Sequence, residues 1–339
     1  MLQLKNLTPF AADIAVFPNE QGIEALYTIV KASFIFNGNW TLADQQVPPQ
    51  DADEYLGEPG LSSISIGSDF QTCKLNSDIV MVGDAIAPNN QQTTAMRVKL
   101  SVGKVSQSVQ VFGDRIWDDG RITSPQPFVS MPMIYERAFG GRHQLDSDNY
   151  LAEERNPVGC GFAGKRTRQE MDGLPLPNIE FPEQLVSKIG DNPSPAGFGV
   201  CGPEWLPRRE FSGSYDEEWH THRAPYLPLD FDRRFYNVAH PKLIYPGFLQ
   251  GGESIQIIGM NAAGELNFQL PIINLVCEAT VAGELKLSEF NIETLILAPN
   301  EKQISIIWKA QLLCDKSLLE IEQVELKLSN RSSVKLRES

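Results

Sequence analysis

The chain is poor in histidine and in basic side chains, its cysteines are few and scattered, and it has no long apolar run. Each shortage closes off a class of function. Cys73, Cys160, Cys201, Cys277 and Cys314 are odd in number and contain no C-x-x-C pair. Such a set builds no disulfide framework and fits a reducing compartment. The histidines are His143, His220, His222 and His240. His220-x-His222 would share one face of a strand, but zinc needs three or four ligands and no third one of proper spacing lies near. No metal and no cofactor is therefore expected. No stretch of about 18 apolar residues occurs, so no membrane insertion is expected. Met1-Leu2-Gln3-Leu4-Lys5-Asn6 lacks the basic-then-apolar pattern of a secretory signal, which points to the cytoplasm. The sequons at Asn6 and Asn330 then read as chance matches. Lys and Arg number 29 against 43 Asp and Glu, a net charge of −14. A surface this acidic repels nucleic acid and anionic lipid and favours a cationic protein partner.

What is present is sheet. Hydrophobic residues make up 42% of 339, enough for a full core. Ile14 to Phe17 and Ala25 to Phe36 read as strands, the second closed by an Asn37-Gly38-Asn39 turn. Asp44 to Pro59 reads as loop, with a solvated acidic run at Asp51 to Glu54. Asp78 to Ala85 reads as one strand. Thr93 to Val102 alternates, and Gly103-Lys104 turns it into Val105 to Phe112. After Pro246 the pattern resumes with Ser254 to Gly259, Glu265 to Leu270, Ile273 to Cys277, Leu285 to Phe290, Thr294 to Leu297 and Ile304 to Trp308. Leu318 to Leu328 reads as a last strand with a bulge, because apolar parity shifts between Ile321 and Val324. No βαβ alternation and no internal repeat appears. The expected fold class is all-β: antiparallel β-sandwich or partial-barrel halves at 1–126 and 247–339 around a loop-rich insert at 127–246, with 1–339 as a single family domain the alternative division.

The stretch Pro125 to Pro246 holds 15 of the 23 prolines, which forbids long regular elements. Its aromatics need burial, so an ordered, loop-rich surface is expected rather than disorder. Short helices are expected near Glu183 to Ile189 and Glu217 to His222. Gly159-Cys160-Gly161-Phe162-Ala163-Gly164-Lys165 imitates two phosphate-loop motifs, but no buried strand precedes it and Arg166 replaces the metal-binding hydroxyl. A tight structural loop is the reading here, with Gly140, Gly141, Asn156, Pro157, Gly159 and Gly161 as turn residues. Asp230 and Asp232, and Asp216 to Glu218 beside Trp219, suggest a glycosidase-like pair of carboxylates. The competing reading pairs these acids with Arg208, Arg209, Arg233 and Arg234. No G-x-S-x-G elbow and no Cys–His pairing supports a nucleophile. Aromatics beside arginines are the usual hot spots of protein interfaces. The candidates for partner binding are Tyr135, Glu136, Arg137, Phe139, Phe162, Trp205, Arg208, Tyr215, Trp219, Phe231, Arg234 and Phe235. The alternative for these aromatics is a second small core.

Several stretches carry a resemblance. They are Asn6 to Phe10, Val111 to Trp117, Tyr135 to Gly141, Asn156 to Gly159 with Gly161-Phe162, Gly202 to Arg208, Tyr215 to Trp219, Leu227 to Asp232 and Arg234 to Asn237. Together they resemble a bacterial family encoded beside VgrG spike and PAAR-repeat genes in type VI secretion clusters. Departures are small: Tyr236 stands where a second Phe is common, and Ala239-His240-Pro241 where Pro-Pro often follows Ala. The resemblance implies a non-enzymatic adaptor or chaperone. It would hold a cognate secreted effector, or the effector's PAAR-bearing part, and promote loading onto the VgrG spike. It implies no catalytic residues. The rival from another class is a carbohydrate-active enzyme or lectin-like β-sandwich.

Overall fold

The computed structural model describes residues 2–36, 40–314 and 319–329. The Asn37-Gly38-Asn39 turn, the Asn330 sequon and Leu318 lie outside the described residues. Three sheets dominate. The largest is built on the 13-residue strand Glu24–Phe36 and the 11-residue strand Gln303–Leu313, antiparallel at its centre. Ala11–Pro18 and Trp40–Leu42 flank Glu24–Phe36 on one side; Asn291–Ala298 and then Asp78–Met81 follow on the other. The second sheet runs Ile179–Glu180, Val105–Phe112, Ala95–Val102, Ser254–Ile258, Glu265–Gln269. The third runs Gln3–Asn6, Ile321–Leu328, Leu275–Val281, Glu284–Ser288.

The fold is all-β, and the two β-rich halves of the chain share each of these sheets. Most pairings are antiparallel, but Gln3–Asn6 with Ile321–Leu328 and Asp78–Met81 with Asn291–Ala298 are parallel. The parity shift in the last strand is a bulge: Thr280 faces Gln323, whereas Val281 faces Ile321. The expected single strand Asp78 to Ala85 is broken. Gly83 adopts φ 117°, and a Cβ there would lie 1.9 Å from the Asn300 side-chain oxygen. That oxygen accepts the Asp84 N–H at 2.7 Å. Two short strands result, Asp78–Met81 and Asp84–Ile86.

The core lies between the first two sheets. Alternation puts Val30, Ala32, Phe34, Leu295, Ile306 and Trp308 on one wall and Val98, Leu100, Val109, Val111 and Ile257 on the other, all buried. Each such Val, Leu or Ile contributes roughly 1.5–3 kcal/mol on burial.

The opposite face of the large sheet is covered by the segment 43–77, held by buried ion pairs. Lys31 Nζ meets Asp69 at 3.0 Å, Lys309 Nζ meets Glu293 at 3.1 Å and Lys74 Nζ meets Asp78 at 2.7 Å. All six side chains are nearly inaccessible to water. Asp53, from the acidic run expected to be solvated, accepts the Ser68 N–H at 2.8 Å within the same segment.

The insert wraps the end of the sandwich and is ordered by three sets of contacts. Phe181, Phe198, Leu243 and Tyr245 join the main core. Trp117, Phe139, Met171, Leu176 and Val186 form a small core of their own. Tyr135, Ala138, Cys201 and Trp205 form another. A helix occurs at Glu217–His222 but not at 183–189. There the backbone donors go to side chains instead: Val186 N–H to Glu180, Ser187 and Lys188 N–H to Asp191.

Candidate functional site

The twelve partner-binding candidates fall into three environments. Tyr135, Phe139 and Trp205 are interior side chains. Tyr135 meets Trp205 edge-to-face at 5.2 Å, and its hydroxyl sits 3.4 Å from Cys201 Sγ. Phe162 packs against the Phe139 core. Glu136 and Arg137 are half-buried ties. Glu136 accepts the N–H and hydroxyl of Ser63, both at 2.7 Å. Arg137 donates to Asn178 at 3.0 Å and Asp114 at 3.3 Å. None of these six is placed to meet a partner as an exposed aromatic or arginine hot spot.

The turn residues meet around Asn156, which is fully buried. Its side-chain N–H group donates to Tyr135 O at 2.8 Å and Phe139 O at 3.0 Å. Gly140 and Gly141 take φ of 151° and 104°, and a Cβ at Gly159 would lie 2.5 Å from Ala138 O. The chain leaves this crossing at Pro157 and passes Gly161, whose φ is 88°. The phosphate-loop imitation is committed internally. Cys160, Phe162 and Lys165 N–H groups donate to Ala138 O, Gly140 O and His143 Nδ1.

The remaining six candidates, Arg208, Tyr215, Trp219, Phe231, Arg234 and Phe235, belong to one lobe, residues 202–237. Its frame is two 3-10 turns, Arg208–Phe211 and Arg233–Tyr236. Asp232 caps the second by accepting the Arg234 N–H at 2.9 Å. Guanidinium and ring alternate across the turns: Arg208 lies 4.8 Å from the Phe235 centroid and Arg234 lies 4.2 Å from Phe211. Phe231 packs against Phe235 and Tyr236. The lobe is fastened to the sheet at Arg233, which donates to Cys73 O at 2.6 Å, and at Arg223, which donates to Glu20 O at 3.1 Å.

Two hollows flank the frame. The inner one, about 380 Å³, is lined by Arg208, Phe211, Arg234, Asn76, Asn237 and Tyr245. Arg208 is buried and makes no ion pair among the described residues. It donates to Phe235 O and Cys201 O, both at 2.8 Å. Burial lowers its pKa from the usual arginine value. The outer hollow, about 500 Å³, holds Trp219, Leu229, Asp216, Glu218, Arg223 and Asp230. Apolar and aromatic side chains stand exposed beside it: Leu229 is 87% exposed, Tyr215 54% and Tyr226 39%. Tyr215 meets the Trp219 ring at 4.7 Å, and Trp219 Nε1 donates to Tyr226 O at 2.8 Å. Sequence reasoning missed Phe211, Tyr226, Leu229 and Tyr245; only Leu229 lay inside a quoted motif.

Three of the carboxylates near Trp219, Asp216, Asp230 and Asp232, are engaged. Asp232 binds Arg234, whose hydrogen bond holds it below the usual carboxylate range. Asp230 accepts Ser214 N–H and hydroxyl, which lower its pKa likewise. Asp216 caps the helix by accepting the Trp219 N–H at 2.9 Å. Both Asp230 and Asp232 are anionic at neutral pH, so neither carries the proton a general acid donates. His220 and His222 stand on the helix Glu217–His222 rather than on a strand, and an i, i+2 spacing there turns them to different sides.

The site is a solvent-facing, aromatic and acidic lobe with an arginine-bearing hollow behind it, carried on an all-β scaffold. Residues 21–309 match the sequence model of a family described as an uncharacterized protein conserved in bacteria, DUF2169, and the chain belongs to that family. No curated protein and no solved structure matches it.

Proposed function

We propose that the protein is a non-enzymatic adaptor that grips a segment of a secreted bacterial protein through the 202–237 lobe. On the motif resemblance, that partner is a type VI effector or its PAAR-bearing part, and the VgrG spike is the destination. The observation that carries the reading is the exposed set Tyr215, Tyr226 and Leu229, with half-buried Trp219, beside Asp216, Glu217, Glu218 and Asp230. Apolar anchors within a carboxylate rim suit a polypeptide segment that brings apolar side chains flanked by Lys or Arg. The engaged state of Asp230 and Asp232 favours this over a glycosidase. Co-expression with the neighbouring open reading frames, followed by size-exclusion chromatography, tests it. Co-elution with a PAAR-bearing or VgrG neighbour supports the adaptor. A lone monomer that leaves the neighbour's solubility unchanged refutes it.

A further inference from the structure

A second site lies away from the lobe, at the end of the sandwich where the strands Glu24–Phe36 and Trp40–Leu42 meet the strand Glu265–Gln269. Phe36, Trp40 and Phe268 stand round a hollow of about 200 Å³, with ring centroids 4.9–5.2 Å apart. Ile257, Leu266 and Leu297 are among the other lining side chains. Trp40 spends its one polar atom elsewhere, donating Nε1–H to Gln269 O at 2.8 Å. Protein interiors are close-packed, and an apolar hollow of about 150 Å³ already accepts benzene.

Among the described residues, the charged and amide side chains lining it are Lys302 and Gln303. Lys302 is exposed and makes no ion pair among the described residues. Its backbone is pinned to the aromatic wall: Lys302 O accepts the Phe36 N–H at 2.8 Å, and its own N–H donates to Pro299 O at 3.2 Å. An uncommitted cation fixed beside an apolar hollow, on a chain of net charge −14, selects an amphipathic anion.

We propose that this hollow binds a medium-chain fatty acid of about six to eight carbons, its alkyl chain among the three aromatic rings and its carboxylate on Lys302. The site is independent of the lobe.

Calorimetric titration of the full chain with octanoate and with octan-1-ol at pH 7.5 tests the assignment. Octanoate binds one to one and more tightly than octanol. Lys302→Met weakens octanoate about tenfold, the loss of one charge-assisted contact, and leaves octanol unchanged. Leu266→Trp fills the hollow and removes binding of both; Ala298→Leu is the second filler should the first fail to fold. Trp219→Ala binds octanoate like the parent. Absence of octanoate binding in the parent, or undiminished binding in a folded filler variant, overturns the site. Equal binding of octanol and octanoate, unaffected by Lys302→Met, overturns the carboxylate assignment.

Discussion

Replacing Arg208 by Met tests how the lobe is held. The guanidinium donates to Cys201 O and Phe235 O, both at 2.8 Å, and stacks on Phe235. Met fills most of the stem but donates nothing. Two carbonyls lose a charged donor, each at a cost of about 1–3 kcal/mol. Part returns, because the variant no longer buries a cation that lacks a carboxylate. The net expectation is a loss of about 2–3 kcal/mol, concentrated in the lobe rather than the sandwich. Cys201 supplies a local readout. Burial pushes its thiol up to about 11, so it resists alkylation in the parent. In Arg208→Met, Cys201 should react with iodoacetamide roughly 30–150-fold faster, the factor that 2–3 kcal/mol gives when labelling follows local opening. Amide exchange across 202–237 should rise in step, while the strand Gln303–Leu313 stays protected. Unchanged labelling and exchange would refute the role given to Arg208.

Asp78 accepts from Lys74 Nζ at 2.7 Å, Val238 N–H at 2.8 Å and Asn237 Nδ2 at 3.0 Å. Asp78→Ala strands a buried ammonium and should cost about 3–5 kcal/mol in urea unfolding, and adding Lys74→Met should recover at least 1 kcal/mol. A double variant no more stable than Asp78→Ala would show that Lys74 gains nothing from the pair. His240 is buried, and desolvation lowers its pKa to about 4. Since the folded pKa lies below the unfolded value of about 6.5, stability is complete above that value and falls as pH drops from 6.5 towards 4, by up to about 3 kcal/mol. His240→Gln should flatten that window, and an unaltered pH profile would contradict it. Gly83→Ala, at φ 117° against Asn300, should destabilise by about 2 kcal/mol or more in thermal unfolding.

The strands were legible wherever one face is buried. Thr93 to Phe112 alternates in sequence, and Val98 and Val109 do face each other across the hairpin. The partnerships were not legible, because Gln3–Asn6 with Ile321–Leu328 and Asp78–Met81 with Asn291–Ala298 join residues more than 200 positions apart. Parallel pairing of this kind leaves no turn signal. The lysines at 31, 74 and 309 gave no hint of burial either, since each is neutralised by an acid from elsewhere in the chain or, for Lys74, four residues on at the start of a strand. In the insert, composition announced packed aromatics but could not sort them. Tyr135 and Trp205 lie inside, where Gly197 and Gly202 leave room against their rings, whereas Tyr215 is exposed and Trp219 half-buried. Helix expectation at 183–189 failed because Glu180 and Asp191 capture the backbone donors.

The central claim is that a partner polypeptide is gripped by the 202–237 lobe. Hydrogen–deuterium exchange on the isolated chain and on its complex with a co-purifying neighbour tests this most directly. The account predicts new protection at residues 211–236, centred on Trp219, and loss of the complex in a Tyr215→Ala/Trp219→Ala/Leu229→Ser variant that keeps its fold. Protection confined to another surface, such as the edge strand Glu284–Ser288 with its exposed Leu285 and Leu287, would contradict it.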